Sequence, residues 1–184
     1  QSPMPRSDSP DTEKYFACYP ARRMEAEVLI DALNGIGGVG EEYSSMIPEP
    51  FAFVPEDLRT ITLADGSTTS SFLEMFGRPS RDTGLESERN NQSTDAQRLY
   101  MLNSTAIQKK IENSPRLRAL FQGSKGRPRE LVQRAYMNLL SRPPTQDEME
   151  TALAYSKTAG LTPRQAASDL VWSLINSKEF LFRH

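Results

Sequence analysis

The chain has 184 residues, one cysteine and one histidine, and its 22 basic and 24 acidic residues give a formal net charge of −2. This length suffices for one domain with a sizeable hydrophobic core. Cys18 cannot form an intramolecular disulfide, and with His184 as the one histidine the chain is too poor in ligands and bases to predict a zinc site or a catalytic triad. No cofactor and no membrane insertion are expected, because no haem motif, phosphate loop or long apolar span is present.

The charges are distributed unevenly along the chain. Residues 1–77 have a net charge of −8 and residues 78–134 a net charge of +6, whereas residues 135–184 are balanced. We expect the acidic part to pack against the basic part within one domain. A nucleic-acid surface is not expected, because the acidic region has the larger charge and no aromatic residues alternate with the arginines.

The N-terminal part predicts a tail followed by the first helix. Residues 1–14 contain too few apolar side chains to pack and predict a disordered tail or linker, so the single helical domain is expected over 15–184. Because Gln1-Ser-Pro-Met-Pro is neither a translation start nor a signal sequence, we expect a piece of a longer protein. A helix is predicted over 21–34, ending at Gly35. The glycine-rich run that follows predicts a flexible connection rather than a dinucleotide loop, because no strand precedes it.

The next part predicts irregular structure. Prolines at 48, 50 and 55 favour an extended segment. Residues 60–69 predict a small β-hairpin that turns at Asp65-Gly66. Residues 71–76 predict a short helix ending at Gly77, and the highly charged stretch 77–92 predicts a long connection.

Residues 94–184 predict an antiparallel helical bundle with short loops. Four helices start at capping or proline signals and a fifth ends the chain: Thr94 with Gln97 to about Asn113, Ser114-Pro115 to Gly123, Pro128 to Leu140, Thr145 with Glu148 to Gly160, and Thr162 with Gln165 onwards. The closing stretch 169–184 is the most apolar and is expected to be innermost. The predicted fold class is therefore mainly α, a bundle of about five or six helices with a proline-rich extended segment and one small hairpin.

The charged connection and the first helix supply the candidate site. Arginine side chains can bind carboxylates or sulfated sugars with two parallel hydrogen bonds. The alternative is an internal ion-pair network that fixes the connection on the bundle, in which case the arginines would be paired within the chain. The candidate ligand-binding residues are Arg78, Arg81, Asp82, Glu86, Glu88, Arg89, Arg22, Arg23 and Glu27.

Two further alternatives concern catalysis and docking. A glycoside hydrolase needs two carboxyl groups across a cleft, and Glu25 or Glu27 with Glu86 or Glu88 would have to supply them from two segments. Trp172 and the phenylalanines at 180 and 182 predict core packing, with the seat of an upstream domain as the alternative.

Four stretches resemble one family. They are Arg22-Arg-Met-Glu-Ala-Glu-Val-Leu-Ile-Asp-Ala32; Phe76-Gly-Arg-Pro-Ser-Arg81 with Glu88-Arg89; Leu140-Ser-Arg-Pro-Pro-Thr145 with Glu148; and Asp169-Leu-Val-Trp-Ser-Leu-Ile-Asn-Ser-Lys-Glu-Phe180. On these residues the chain resembles the planctomycete-specific secreted domain family, domain of unknown function 1553. Many members of the family have a Cys-x-Cys-Glu-Arg run where this chain has Leu85-Glu-Ser-Glu-Arg89, so a thiol-based role of that loop is not expected here.

The resemblance implies the C-terminal part of large exported proteins of planctomycetes and verrucomicrobia, often with a cytochrome c domain upstream. It implies an extracytoplasmic location, periplasmic or secreted, and partners among the upstream domains of the same parent protein and other exported proteins. The expected function is a non-catalytic scaffold or interaction domain, accessory to polysaccharide breakdown or cytochrome-linked processes. The alternative is a carboxylate-dependent hydrolase acting on carbohydrate.

Overall fold

The computed structural model describes residues 22–38, 40, 43, 59–63, 70–78, 89–90, 92–124 and 126–183. This part of the chain is mainly helical, as predicted. Its helices are α1 (Ala26–Gly37), α2 (Ser71–Met75), α3 (Asp95–Asn103), α4 (Thr105–Asn113), α5 (Pro115–Gly123), α6 (Pro128–Leu140), α7 (Gln146–Tyr155), α8 (Pro163–Ile175) and α9 (Lys178–Leu181), with a 3₁₀ turn at Thr60–Thr62. The strands β1 (Arg22–Arg23) and β2 (Phe182–Arg183) pair in an antiparallel ribbon.

Helix α1 differs at both ends from its predicted bounds. Its start at residue 21 was predicted wrongly, because Arg22 and Arg23 pair with β2 as a strand and the helix follows them. The end at Gly35 was also wrong, since the helix continues to Gly37 and closes at Gly38, whose φ of 73° is left-handed. The glycines do not form a flexible connection there: Gly37 lies against Lys110 of α4, where a side chain would be only 3.3 Å from the lysine Cβ.

The predicted β-hairpin is wrong where the structure describes it. Thr60–Thr62 form a 3₁₀ turn, because the Asp31 carboxylate of α1 accepts the backbone N–H groups of Thr60 at 2.7 Å and of Ile61 at 3.1 Å. These hydrogen bonds satisfy the donors that a strand would pair with a neighbour. The Asp65-Gly66 turn, the proline-rich segment and the N-terminal tail lie outside the described residues.

Serine side chains divide two helices that periodicity had predicted as continuous. Ser104 separates α3 from α4 and accepts the N–H of Ile107, and Ser177 separates α8 from α9 and accepts the N–H of Phe180. A serine hydroxyl competes with helical hydrogen bonds and starts a new helix at the point where it caps. Helix α7 likewise ends at Tyr155 rather than at Gly160, and turns follow it. The predicted capping boxes at Thr94, Thr145 and Thr162 are confirmed.

The core has two clusters that meet on α8. The larger cluster joins α1, α2, α3, α4, α5 and α9 to Val171 and Ile175, whereas the smaller one joins α6 and α7 to Leu174. The closing stretch is therefore docked, as predicted. It shares the centre with α1 and α2, where Leu29 and Leu73 have no exposed surface. Within the described ranges no helix combines the length and the apolar composition needed to cross a membrane.

Candidate functional site

The short helix α2 presents the start of the charged connection to α1. Ser70 caps the helix, and the rings of Phe72 and Phe76 stack at 4.3 Å between centroids, with Tyr100 edge-on to both. Gly77 then turns the chain with a φ of 98°, a left-handed conformation that favours glycine, and a Cβ at this position would overlap the carbonyl of Asn90. The turn therefore depends on a glycine and leads directly to Arg78.

Three of the candidate residues meet in what we call the Glu27 cluster: Glu27, Arg78 and Arg89. Arg89 donates two hydrogen bonds to the Glu27 carboxylate, from Nη1 at 2.9 Å and Nη2 at 2.7 Å. The Nε of Arg78 lies 3.4 Å from Oε1 of the same carboxylate. The side chains of Glu27 and Arg78 are only 5% and 7% exposed. The cluster is thus a buried ion-pair network between α1 and the connection, the alternative that the sequence left open.

The electrostatics keep Glu27 ionised. Burial by itself raises the pKa of the Glu27 carboxyl, but the hydrogen bonds from Arg89 and its own backbone, with the positive charges of Arg89 and Arg78, outweigh it and hold the pKa below its usual value. A general acid needs the opposite shift, because it must hold a proton near neutral pH. The described part of the cluster therefore holds Glu27 as a carboxylate that attaches the connection to α1.

The other candidate residues have different surroundings. Arg23 is buried, donates from Nη2 to the carbonyl of Phe76 at 2.7 Å, and places its guanidinium 5.3 Å from the Phe76 ring centre. Burial lowers the pKa of Arg23. Arg22 is exposed on β1. The candidates that lie outside the described residues are Arg81, Asp82, Glu86 and Glu88, so a ligand-binding role of that stretch stays a prediction.

Helix α1 attaches further segments through one polar stripe. Glu27, Asp31 and Asn34 recur at four- and three-residue spacing, which places them on one side of the helix. Asp31 binds the 3₁₀ turn, and Asn34 accepts a hydrogen bond from the Nζ of Lys110 at 2.8 Å. At the end of α1, the carbonyl of Ile36 accepts from the fully buried Ser114 at 2.6 Å. The sequence motif contained Glu27 and Asp31, but the partner of Asp31 at 60 and the partner of Asn34 at 110 had no local signal.

A second cluster, the Arg142 cluster of Arg142, Glu148 and Glu179, was missed as a unit. Arg142 donates to both oxygens of Glu148 at 2.8 Å and to both oxygens of Glu179 at 2.6 and 2.7 Å. Its guanidinium lies 5.4 Å from the ring centre of Tyr136. The hydrogen bonds from Arg142 hold the pKa of Glu148 at about 2. Two motifs of the family resemblance supply these residues, and their charge complementarity is the signal that could have joined them.

A groove of about 1110 Å³ lies beside this cluster, between α5, α6, α7 and α8. Its floor contains buried side chains such as Val132 and Tyr136, together with partly exposed Leu131, Leu170 and Trp172. Trp172 is therefore neither fully in the core nor fully exposed. The groove could not be predicted from the sequence, because it arises from the relative placement of four helices.

Charged residues lie around the groove in two groups. Arg118, Arg127 and Arg164 line it from α5, from the connection after α5 and from α8. The carboxylates are Asp147, Glu148 and Asp169; Glu148 is bound by Arg142, and Asp169 accepts the Tyr155 hydroxyl at 2.8 Å. Among the residues that the structure describes, no three histidine, cysteine, aspartate or glutamate side chains are grouped as metal ligands would be.

Comparison with known proteins gives one family. The family model described as "PSD1: Protein of unknown function (DUF1553)" matches residues 2–156. Three of the four motifs fall inside this range, whereas the stretch from Asp169 to Phe180 follows it. No curated protein and no solved structure matches the chain.

Proposed function

The chain belongs to the DUF1553 family of proteins of unknown function, and we propose that it acts as a non-catalytic scaffold or interaction domain within a larger exported protein. The observation that supports this most is the groove between α5, α6, α7 and α8, which leaves Leu131, Leu170 and Trp172 partly exposed. A concave, mainly apolar cleft of this volume is typical of sites that receive another molecule. The proposed location is extracytoplasmic, and the proposed partners are upstream domains of the same parent protein, with other exported proteins as further partners.

The carboxylates that are ion-paired within the chain support attachment over catalysis. Glu27 is held by two arginines, and the Arg142 cluster joins the start of α7 to α9. Hydrolysis of carbohydrate, the alternative, needs an acid and a base at two carboxyl groups. In the groove, Glu148 accepts hydrogen bonds from Arg142, and Asp169 accepts one from Tyr155. Among the described carboxylates that line the groove, Asp147 is the one exposed to solvent. The alternative therefore has less support.

The test is to produce this chain and the part of its parent protein that precedes it as two separate polypeptides. Mixing them should give a complex that elutes earlier in size-exclusion chromatography and has a saturable heat of binding in calorimetry. The chain alone should release no reducing sugar from a panel of polysaccharides. Absence of association at concentrations on the order of 100 µM, or release of sugar that Glu27→Gln or Asp147→Asn abolishes, would overturn the proposal.

A further inference from the structure

We propose that the groove binds one amphipathic helix of about three turns from a partner polypeptide, with its apolar face on the groove floor and acidic residues along the flank that faces α5. This inference deepens the proposed function and rests on it for the identity of the partner. It commits to a helix rather than to a small molecule.

The dimensions of the groove fit a helix. Two walls run along most of the groove. One is formed by residues 147–156, from α7 and the turn after it, and the other by residues 163–173 of α8. At 1.5 Å per residue, each wall is about 14 to 15 Å long. Its volume of about 1110 Å³ lies above the roughly 300–1,000 Å³ that is usual for small-molecule pockets. The groove therefore has the length of an additional short helix packed against α6, α7 and α8 and more room than a small ligand needs.

The floor supplies the apolar contacts that such a helix needs. Leu131 of α6, Leu170 and Trp172 of α8 and Phe121 of α5 are half-buried and line the groove, and Tyr155 of α7 is 44% exposed. Binding of an amphipathic helix by a hydrophobic groove uses apolar anchors at three- and four-residue spacing. A large aromatic side chain at the centre of such a surface is the usual source of binding energy. Trp172 is a large aromatic side chain that lines the groove and is partly exposed.

The charges select an acidic flank. Arg118 lies on α5, Arg127 follows α5, and Arg164 donates to the carbonyl of Glu112 just before α5, so the three arginines surround one side of the groove. All three are exposed. Arg127 is paired with Glu130 at 2.7 Å on the surface, which is a weak, solvent-screened interaction. The carboxylates that line the groove, Asp147, Glu148 and Asp169, lie on α7 and α8. The positive charge is therefore concentrated on the flank that faces α5.

The test uses the full 184-residue chain and its single tryptophan, Trp172, as the probe of the groove. A synthetic peptide of about 14 residues carries leucines along one helical face and glutamates along one flank of that face, and a matched peptide has the same leucines with lysines in place of those glutamates. Titration of the glutamate peptide should change Trp172 emission to saturation. The lysine peptide should bind about tenfold more weakly, and this difference should shrink with added salt.

Two variants test whether the peptide binds in the groove rather than elsewhere on the surface. Thr151 is exposed and lines the groove, so Thr151→Phe should fill it and weaken the glutamate peptide about tenfold, whereas Gln133→Phe on exposed α6 surface outside the groove should leave binding unchanged. Arg118→Glu should weaken the glutamate peptide and strengthen the lysine peptide, with Arg129→Glu as its control. The gain for the lysine peptide cannot arise from misfolding.

Several outcomes would overturn the inference: equal binding of both peptides, unchanged binding by Thr151→Phe, no saturation up to about 1 mM, or saturation by dodecanoate when neither peptide binds. The parent polypeptide distinguishes the two proposals. If it binds wild type and Thr151→Phe equally, the interaction function stands and the groove inference fails. If the glutamate peptide binds as expected but the parent polypeptide does not, the groove inference stands and the proposed partner is wrong.

Discussion

The two arginine–glutamate clusters use the same chemistry in different surroundings. Glu27 and Arg78 are 5% and 7% exposed, whereas Arg142, Glu148 and Glu179 are 33%, 31% and 35% exposed. Each cluster joins two of the sequence motifs that are distant along the chain. When a buried carboxylate is removed, the cations beside it lose its negative charge in a place that water reaches poorly. When a half-exposed carboxylate is removed, water can take its place. The comparison indicates that attachment around α1 is the more costly to break.

Removal of the buried anion should have the largest effect. Glu27→Gln would leave Arg78 and Arg89 beside a neutral amide, and breaking a buried pair in this way costs about 3–5 kcal/mol. Urea unfolding should show this loss in the free energy of unfolding. Glu74→Gln, at an exposed position of α2, should change the free energy by less than about 0.5 kcal/mol. Equal effects of the two substitutions would contradict the comparison.

The turn that leads to the Glu27 cluster should be nearly as sensitive. Gly77→Ala adds a Cβ that overlaps the Asn90 carbonyl and has an unfavourable φ, so we expect a loss of about 2–3 kcal/mol. Gly160→Ala is the matched control, because Gly160 also has a positive φ of 88° but no atom within 4 Å of an added Cβ. Its loss should be about 1 kcal/mol. Thermal unfolding measures the loss of stability in both variants, and the difference between the two losses is the cost of the steric overlap at position 77.

A buried serine tests the end of α1. Ser114→Ala removes the hydrogen bond to the Ile36 carbonyl and the cap of α5 at the N–H of Leu117, which should cost about 1–2 kcal/mol. Ser173→Ala, at an exposed serine that donates to a carbonyl of its own helix, should change the free energy of unfolding by less than about 0.5 kcal/mol. If Ser114→Ala lowers the free energy of unfolding no more than Ser173→Ala does, the end of α1 is not held by Ser114 as described.

The half-exposed cluster should give the smallest effect and a distinct pH dependence. Arg142→Met should cost about 1 kcal/mol near pH 7, because its hydrogen bonds are partly solvated. The pKa of Glu148 is lowered from 4.5 to about 2, so its contribution is present above pH 4.5 and is lost as the pH falls towards 2. The difference in the free energy of unfolding between wild type and variant should therefore shrink between about pH 5 and pH 2. A difference that is constant across this range would show that the arginine acts through packing alone.

Local signals in the sequence predicted helices well, and spatial assembly poorly. Capping boxes at Thr94, Thr145 and Thr162 and prolines at 115 and 128 mark helix starts through chemistry contained within one turn. The strand at Arg22 and Arg23 could not be predicted, because its partner is about 160 residues away.

The contact between the two candidate segments was predicted from residue type alone. Both the loop and the first helix carry arginines and carboxylates that can pair, and within the described residues Glu27 meets Arg78 and Arg89. The choice of Glu27 as the common partner required the structure, as did the groove. A groove is a property of how helices pack, and the apolar pattern of each helix is compatible with a filled surface as well.

The ribbon of β1 and β2 determines how the molecule responds to mechanical force. Arg22 pairs with Arg183, and Arg23 with Phe182, so residues 22 and 183 lie side by side at one end of the antiparallel ribbon. Tension applied between these two residues would separate the hydrogen bonds one after another instead of loading them together. In a single-molecule pulling experiment the ribbon should open at low force and release the contact between Met24 and Leu181 next, before the helical core extends.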